Sequence, residues 1–240
     1  GGMGYVSTLA IYGEGQSLRL VSGCGNGTIQ IWNPVTHCLE KTLVASNTKN
    51  RHNHNKKAIS CLTTFFIGHV PHLAVSSSDN DNNNIVMWNL NTCQQLTTVL
   101  SGHSHTVTSM VSFPFRQSAP LSSGLLQQHS GIQTYLVSGS ADGTIILWNC
   151  NKGKLVSTPV GHAETVTSLA IVHSRNDDIY LVSADDHEIK FWDLKTFELT
   201  RTLVRDGDQQ GKVNSVKPFC WGDVSYLVIS AGTTIELWSE

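Results

Sequence analysis

The sequence predicts an all-β domain assembled from five successive copies of one small antiparallel sheet. Three observations carry that prediction. A tryptophan returns at similar intervals behind a short apolar run ending near serine, at Trp32, Trp88, Trp148, Trp192 and Trp238. Turn residues such as Asp142-Gly143 separate short β-branched runs. No segment sustains a 3.6-residue apolar period, so helix is expected to be nearly absent.

The tryptophan intervals are 56, 60, 44 and 46 residues, and only Trp221 stands outside the series. Two intervals match the length of one four-stranded unit, and two are lengthened by insertions. The third unit shows the pattern most cleanly. Thr106 to Val111 alternates as strand a, and Tyr135 to Ser138 forms strand b. Ala141-Asp142-Gly143-Thr144 turns the chain, because Asp-Gly tolerates the positive φ of a tight hairpin. Thr144 to Trp148 is strand c, and Leu155 to Thr158 is strand d. The unit boundaries fall at 1–45, 46–100, 101–160, 161–204 and 205–240. The fifth unit stops two residues after Trp238 and lacks strand d.

These residues resemble the WD40-repeat β-propeller family across essentially the whole chain. The marks are Gly102-His103 and Gly161-His162 before strand a, the Asp142-Gly143 turn, and Trp192-Asp193 closing strand c. Other units drift to Trp-Asn or Trp-Ser. The resemblance implies a single propeller domain. It is either a five-bladed ring whose last blade has three strands, or an open propeller fragment that needs more chain or a partner.

In that family a His, a Ser or Thr, an Asp and the strand-c Trp form a buried hydrogen-bonded set. The indole N–H needs an acceptor, the hydroxyl relays it to imidazole, and the carboxylate fixes the imidazole tautomer. By motif position the third unit uses His103, Ser138, Asp142 and Trp148. The fourth uses His162, Ser183, Asp186 and Trp192, although its b–c turn is one residue shorter. The first unit has Asn26 in the acidic position, and the fifth has Gly232. A His/Ser/Asp set also suggests a hydrolase triad. Here it recurs beside a tryptophan in two units, so a structural role is expected and no catalytic residue is assigned.

Composition narrows the partners. Charged residues make up 14% and the formal net charge is −2. Average domains carry roughly 25% charged residues, and no global field favours nucleic acid or an anionic membrane. The six cysteines lack CxxC spacing, which suggests free thiols in a reducing compartment. No secretory leader or membrane-length apolar run is read, so an intracellular, cytoplasmic or nuclear location is expected. The pairs His52/His54 and His103/His105 lack a cysteine or carboxylate at ligand spacing. Neither a metal nor a cofactor is therefore expected.

Family contacts often fall around the start of strand a and just before the acidic residue of the buried set. The resemblance implies a partner-binding top face of Tyr5, Ser7, Ala58, Ser60, Thr106, Thr108, Thr165, Thr167, Asp185, Lys212 and Asn214. Three insertions add to it. Lys49, Arg51, Lys56 and Lys57 lie in a loop without acids, able to hold an acidic peptide, a phosphate or RNA. Asp79 to Asn84 reads as a polar hairpin extension, and Pro114 to Gln133 as a long a–b loop carrying Leu125 and Leu126.

The function these features imply is a protein–protein interaction scaffold with protein partners. Alternatives are substrate recognition for a ubiquitin ligase, or RNA or phosphate binding through residues 49–57. Ligase receptors of the family often carry Trp-Asp-x-Arg, but here Trp192-Asp193-Leu194 is followed by Lys195, which is no substitute at a bidentate contact.

Overall fold

The computed structural model describes residues 4–45, 58–77, 83–116, 131–158, 161–173, 178–205, 212–221 and 224–239. The basic loop with Lys49, Arg51, Lys56 and Lys57, most of the Asp79–Asn84 run, and Leu125 and Leu126 lie outside the described residues. The chain divides into two compact units, Gly1–Val107 and Thr108–Glu240.

The first unit holds two four-stranded sheets. One is β1 (Val6–Tyr12), β2 (Arg19–Cys24), β3 (Thr28–Asn33) and β4 (Cys38–Val44). The other is β5 (Ile59–Ile67), β6 (Val70–Ser77), β7 (Ile85–Asn89) and β8 (Gln94–Leu100). In the second unit the third sheet is β9 (Val107–Arg116), β10 (Ile132–Ser140), β11 (Ile145–Asn149) and β12 (Lys154–Ser157). The fourth is β13 (Ser168–His173), β14 (Ile179–Ala184), β15 (Glu188–Asp193) and β16 (Leu199–Val204). The fifth is β17 (Val213–Trp221), β18 (Val224–Ala231) and β19 (Thr234–Ser239). Among the described residues the only helical element is a 3₁₀ turn at Gly15–Ser17.

Each sheet is a meander in which sequence neighbours pair, and the fifth has three strands, as its missing d segment implied. In the third sheet strands b and c are the most deeply buried. All five residues of β11 are covered, whereas β4 is exposed at all but one position. The apolar cores lie between successive sheets. Val21, Ile29 and Ile31 pack with Ile59, Leu62 and Leu73 in the first unit. In the second, Val137, Ile145 and Leu147 pack with Leu169, Leu181 and Trp192, and Ala170, Val182 and Ile189 pack with Val216 and Ile229. Fully burying one such side chain stabilises the fold by about 1.5–3 kcal/mol.

The Trp-Asn and Trp-Asp pairs have a local cause. The residue after each of the first four tryptophans caps the c–d turn. Asn33 Oδ1 accepts from Val35 N at 2.9 Å and Asn89 Oδ1 from Asn91 N at 3.0 Å. Asn149 Oδ1 accepts from Lys152 N at 3.0 Å and Asp193 Oδ1 from Lys195 N at 2.6 Å. A short side-chain carbonyl or carboxylate closes this Asx-type turn, more strongly than a hydroxyl would. Four residues further on the chain turns left-handed, at His37 (φ 57°), Cys93 (φ 57°), Gly153 (φ 61°) and Phe197 (φ 60°). Only the third sheet spends a glycine there. Phe197 is held by its buried side chain, which is 5% exposed in the core.

Candidate functional site

Strand register puts the five tryptophans at one equivalent point. Each faces a leucine of strand b: Leu20 with Trp32, Leu73 with Trp88, Leu136 with Trp148, Leu181 with Trp192 and Leu227 with Trp238. Their surroundings differ. Trp88, Trp148 and Trp192 are buried, whereas Trp238 is 38% exposed and its N–H donates to Glu236 Oε2, at 3.4 Å. The expected burial of all five indoles therefore fails at the fifth sheet, where β19 is the edge strand.

The fourth sheet contains a complete polar set. Trp192 Nε1 donates to Ser183 Oγ at 2.8 Å. Ser183 Oγ lies 2.7 Å from His162 Nε2, and His162 Nδ1 lies 3.0 Å from Asp185 Oδ2. The consistent proton order has the hydroxyl donating to Nε2 and Nδ1–H donating to the carboxylate. Burial holds the His162 imidazole below its ordinary pKa, with the Asp185 charge opposing the shift. The acid is Asp185, not the expected Asp186. The shorter turn moves the capping carboxylate one residue earlier, and Asp185 Oδ1 accepts from His187 N at 2.8 Å and Glu188 N at 2.6 Å. Asp185 is thereby removed from the proposed top face, being 3% exposed. Asp186 instead pairs with Lys212 Nζ.

In the third sheet Trp148 Nε1 donates to Ser138 Oγ at 2.8 Å, and His103 is buried. Asp142 Oδ1 caps its own turn, accepting from Thr144 N at 2.9 Å. Asn26 does the same in the first sheet, from Thr28 N at 3.1 Å, and Trp32 Nε1 reaches Ser22 Oγ at 3.1 Å. The second sheet breaks the pattern. Its Ala74-Val75-Ser76 run stands one residue out of step with Leu136-Val137-Ser138 of the third sheet, because Leu73 rather than Ala74 faces the tryptophan. Val75 then fills the serine place. Trp88 Nε1 and Ser76 Oγ are both buried without a hydrogen-bond partner among the described residues.

The Gly-His motif also has a steric reason. Gly161 crosses the third sheet's b–c turn, where a Cβ would sit 2.1 Å from Gly143 O, and His162 N donates to that oxygen at 2.8 Å. Gly143 itself has φ +80°.

The candidate top-face residues separate into two kinds. Ser7, Ser60 and Asn214 each sit at an irregularity in the a–b pairing. The Ser7 hydroxyl lies 3.0 Å from Gly23 O of its own sheet and 2.6 Å from Ile59 O of the next. Thr108 Oγ1 makes the equivalent contacts, 3.1 Å to Gly139 O and a shorter one to Val166 O. Thr167 Oγ1 donates to Ala184 O at 3.1 Å. These hydroxyls are committed to backbone carbonyls and staple strands and sheets together. Sequence reasoning missed this staple, although a recurring hydroxyl two residues into strand a was its signal. Ala58, Ser60 and Thr106 are half-buried, whereas Tyr5, Thr165, Lys212 and Asn214 are exposed.

His162, Asp185 and Glu188 bring ligand atoms within 4.8 Å of one another. Both imidazole nitrogens and both Asp185 oxygens already have partners, and Glu188 Oε2 pairs with Lys190 at 2.9 Å. His162 and Asp185 are thereby committed to the buried hydrogen-bonded set, and Glu188 to an ion pair at its edge. The same geometry argues against a hydrolase triad, since Ser183 is 0% exposed beneath an indole. Lys195, where the ligase-type motif has arginine, is tied to Asp178 at 2.5 Å. No helix among the described residues is long and apolar enough to cross a membrane.

Residues 94–149 and 153–193 match the family model described as WD40: WD domain, G-beta repeat. Autophagy-related protein 16 of Arabidopsis thaliana is 33% identical over 103 residues, 42% of this chain and 20% of that protein. The guanine nucleotide-binding protein subunit beta of Oryza sativa subsp. japonica is 30% identical over 92 residues, 36% of this chain and 23% of that protein. WD repeat-containing protein 41 of Mus musculus is 29% identical over 126 residues, 52% of this chain and 24% of that protein. The chain thus spans about a fifth to a quarter of the relatives it matches. Residues 94–149 and 153–193 therefore carry WD40 repeats, and the described residues form five antiparallel sheets, each placing a strand-c tryptophan opposite a strand-b leucine, in an all-β architecture.

Proposed function

We propose that this protein is a protein–protein interaction scaffold, and that the rim of its fourth and fifth sheets carries a partner contact. WD40 propellers are typically scaffolds of this kind and generally not enzymes, and loops on a rigid framework are where such folds place binding. The observation that supports the rim is the layering beneath it. His162, Ser183, Asp185 and Trp192 fix the b–c turn from below. Asp186, one residue on, stands above them and pairs with Lys212, whose side chain is 70% exposed. Asp186 O also accepts from Val213 N at 3.2 Å, so the turn and the start of β17 are joined. Exposed Glu164, Thr165 and Asn214 extend this polar rim. A partner that offers paired hydrogen-bonding groups gains a preorganised surface with little ordering cost.

The test is site-specific photocrosslinking from position 165 or 214, followed by a pull-down with Thr165→Arg and Lys212→Glu. Crosslinks to a discrete protein that the two substitutions abolish support the reading. Partner capture unchanged by both, with crosslinks arising only from other surfaces, sinks it.

A further inference from the structure

We propose that Lys41 and Cys93 form an oxidant-driven covalent bridge, a sulfenamide, that ties the outer strand of the first sheet to the c–d turn of the second. Lys41 Nζ lies 3.2 Å from Cys93 Sγ across a separation of 52 residues. Neither the sequence nor a local turn brings the two together. Only the packing of β4 beside the turn between β7 and β8 does so.

The thiol is held in place. Cys93 occupies the left-handed position of its turn (φ 57°), and Asn89 Oδ1 caps that turn by accepting from Asn91 N at 3.0 Å. The thiol donates to Leu90 O at 3.4 Å, which leaves a sulfur lone pair turned to the Lys41 ammonium. Lys41 is exposed and Cys93 half-buried, so a small oxidant reaches the pair from solvent. Cys24, Cys61 and Cys150 are buried, and burial pushes the Cys150 thiol up to about 12. Reactivity follows thiolate character and access.

The oxidant class is a peroxide. In the first step the Cys93 sulfur attacks the peroxide O–O bond. An S–O bond forms, the sulfur is oxidised by two electrons, and the leaving hydroxide takes up the thiol proton as water. In the second step Lys41 gives one proton to solvent and its nitrogen attacks the sulfenic sulfur. The N–S bond forms, the S–O bond breaks, and the departing hydroxide leaves as water with the second nitrogen proton. Sulfenic acids undergo this kind of condensation with a neighbouring nitrogen. Only the neutral Lys41 amine attacks, so the second step quickens as pH rises toward the ordinary lysine range.

The experiment treats the whole chain with hydrogen peroxide, digests it without reductant and analyses the peptides by mass spectrometry. The expected product joins the Lys41 and Cys93 peptides at a mass two hydrogen atoms below their sum. It returns to separate peptides with dithiothreitol. It is absent from Lys41→Arg, in which dimedone captures a Cys93 sulfenic acid instead, and from Cys93→Ser. Both substitutions are at solvent-accessible positions, and circular dichroism checks that each variant keeps its fold. Oxidation of Cys93 to sulfinic acid without linkage in the wild-type chain would overturn the proposal. A disulfide to Cys38, or a bridge heavier by one oxygen, would do the same, since each assigns a different reaction to the sulfur.

Discussion

The unsatisfied indole of the second sheet makes a quantitative prediction. Trp148 and Trp192 each donate to a serine hydroxyl at 2.8 Å, whereas Trp88, also buried, has no acceptor among the described residues. Replacing Trp148 or Trp192 by phenylalanine removes packing and leaves a buried hydroxyl short of a partner. That should cost about 2–4 kcal/mol. Trp88→Phe loses similar packing but releases a donor whose burial costs about 1–3 kcal/mol. The net effect at Trp88 should fall between zero and about 1 kcal/mol. Urea unfolding followed by circular dichroism reads the totals, and amide exchange in β6 and β7 localises the effect to the second sheet. A second arm adds Val75→Ser, which supplies the missing acceptor. A double-mutant cycle between positions 75 and 88 should then show about 1 kcal/mol of favourable coupling. If Trp88→Phe is as costly as Trp192→Phe, or the cycle shows no coupling, hydrogen-bond satisfaction does not govern these sites.

Gly161→Ala should destabilise the protein by about 1–3 kcal/mol, because its Cβ would meet Gly143 O at 2.1 Å. A thermal melt indistinguishable from wild type would contradict that close approach. His162 stays neutral in the fold with a depressed pKa, so the unfolded chain binds a proton first. Its contribution is complete above the ordinary histidine value near 6.5, and is lost as pH falls from there toward the lower folded value, with a slope of at most about 1.4 kcal/mol per pH unit. Stability measured against pH should lose that slope in His162→Gln. His37→Gly should gain up to about 1 kcal/mol, since the left-handed backbone at φ 57° carries a Cβ penalty there. An unchanged or lower unfolding midpoint would refute it. Replacing Lys49, Arg51, Lys56 and Lys57 together should leave retention on an RNA column unchanged if the protein is purely a protein scaffold, and loss of retention would favour the nucleic-acid reading.

Much of the architecture was legible from the residues. A strand-c tryptophan is large and carries one donor, so it is costly to leave wet and its recurrence marks the repeat, even though the edge position of β19 leaves Trp238 partly exposed. The Asp142-Gly143 turn was equally local, whereas the capping of the c–d turns by the residue after each of the first four tryptophans was seen only in the structure. Three further matters needed the folded chain. A turn shortened by one residue gave the buried role to Asp185 and sent Asp186 to Lys212, a choice between adjacent carboxylates that no composition or spacing distinguishes. A one-residue offset in β6 placed Val75 where a hydroxyl was expected, and register depends on pairing with both neighbouring strands. The hydroxyls of Ser7 and Thr108, read as surface groups, are spent on carbonyls of the adjoining sheet. Sequence by itself determined which segments become strands and where they turn, because those forces act within a few residues. Which polar atoms remain for a partner was decided only by packing, because a hydrogen bond to a residue 50 or more positions away exists once the sheets are stacked and not before.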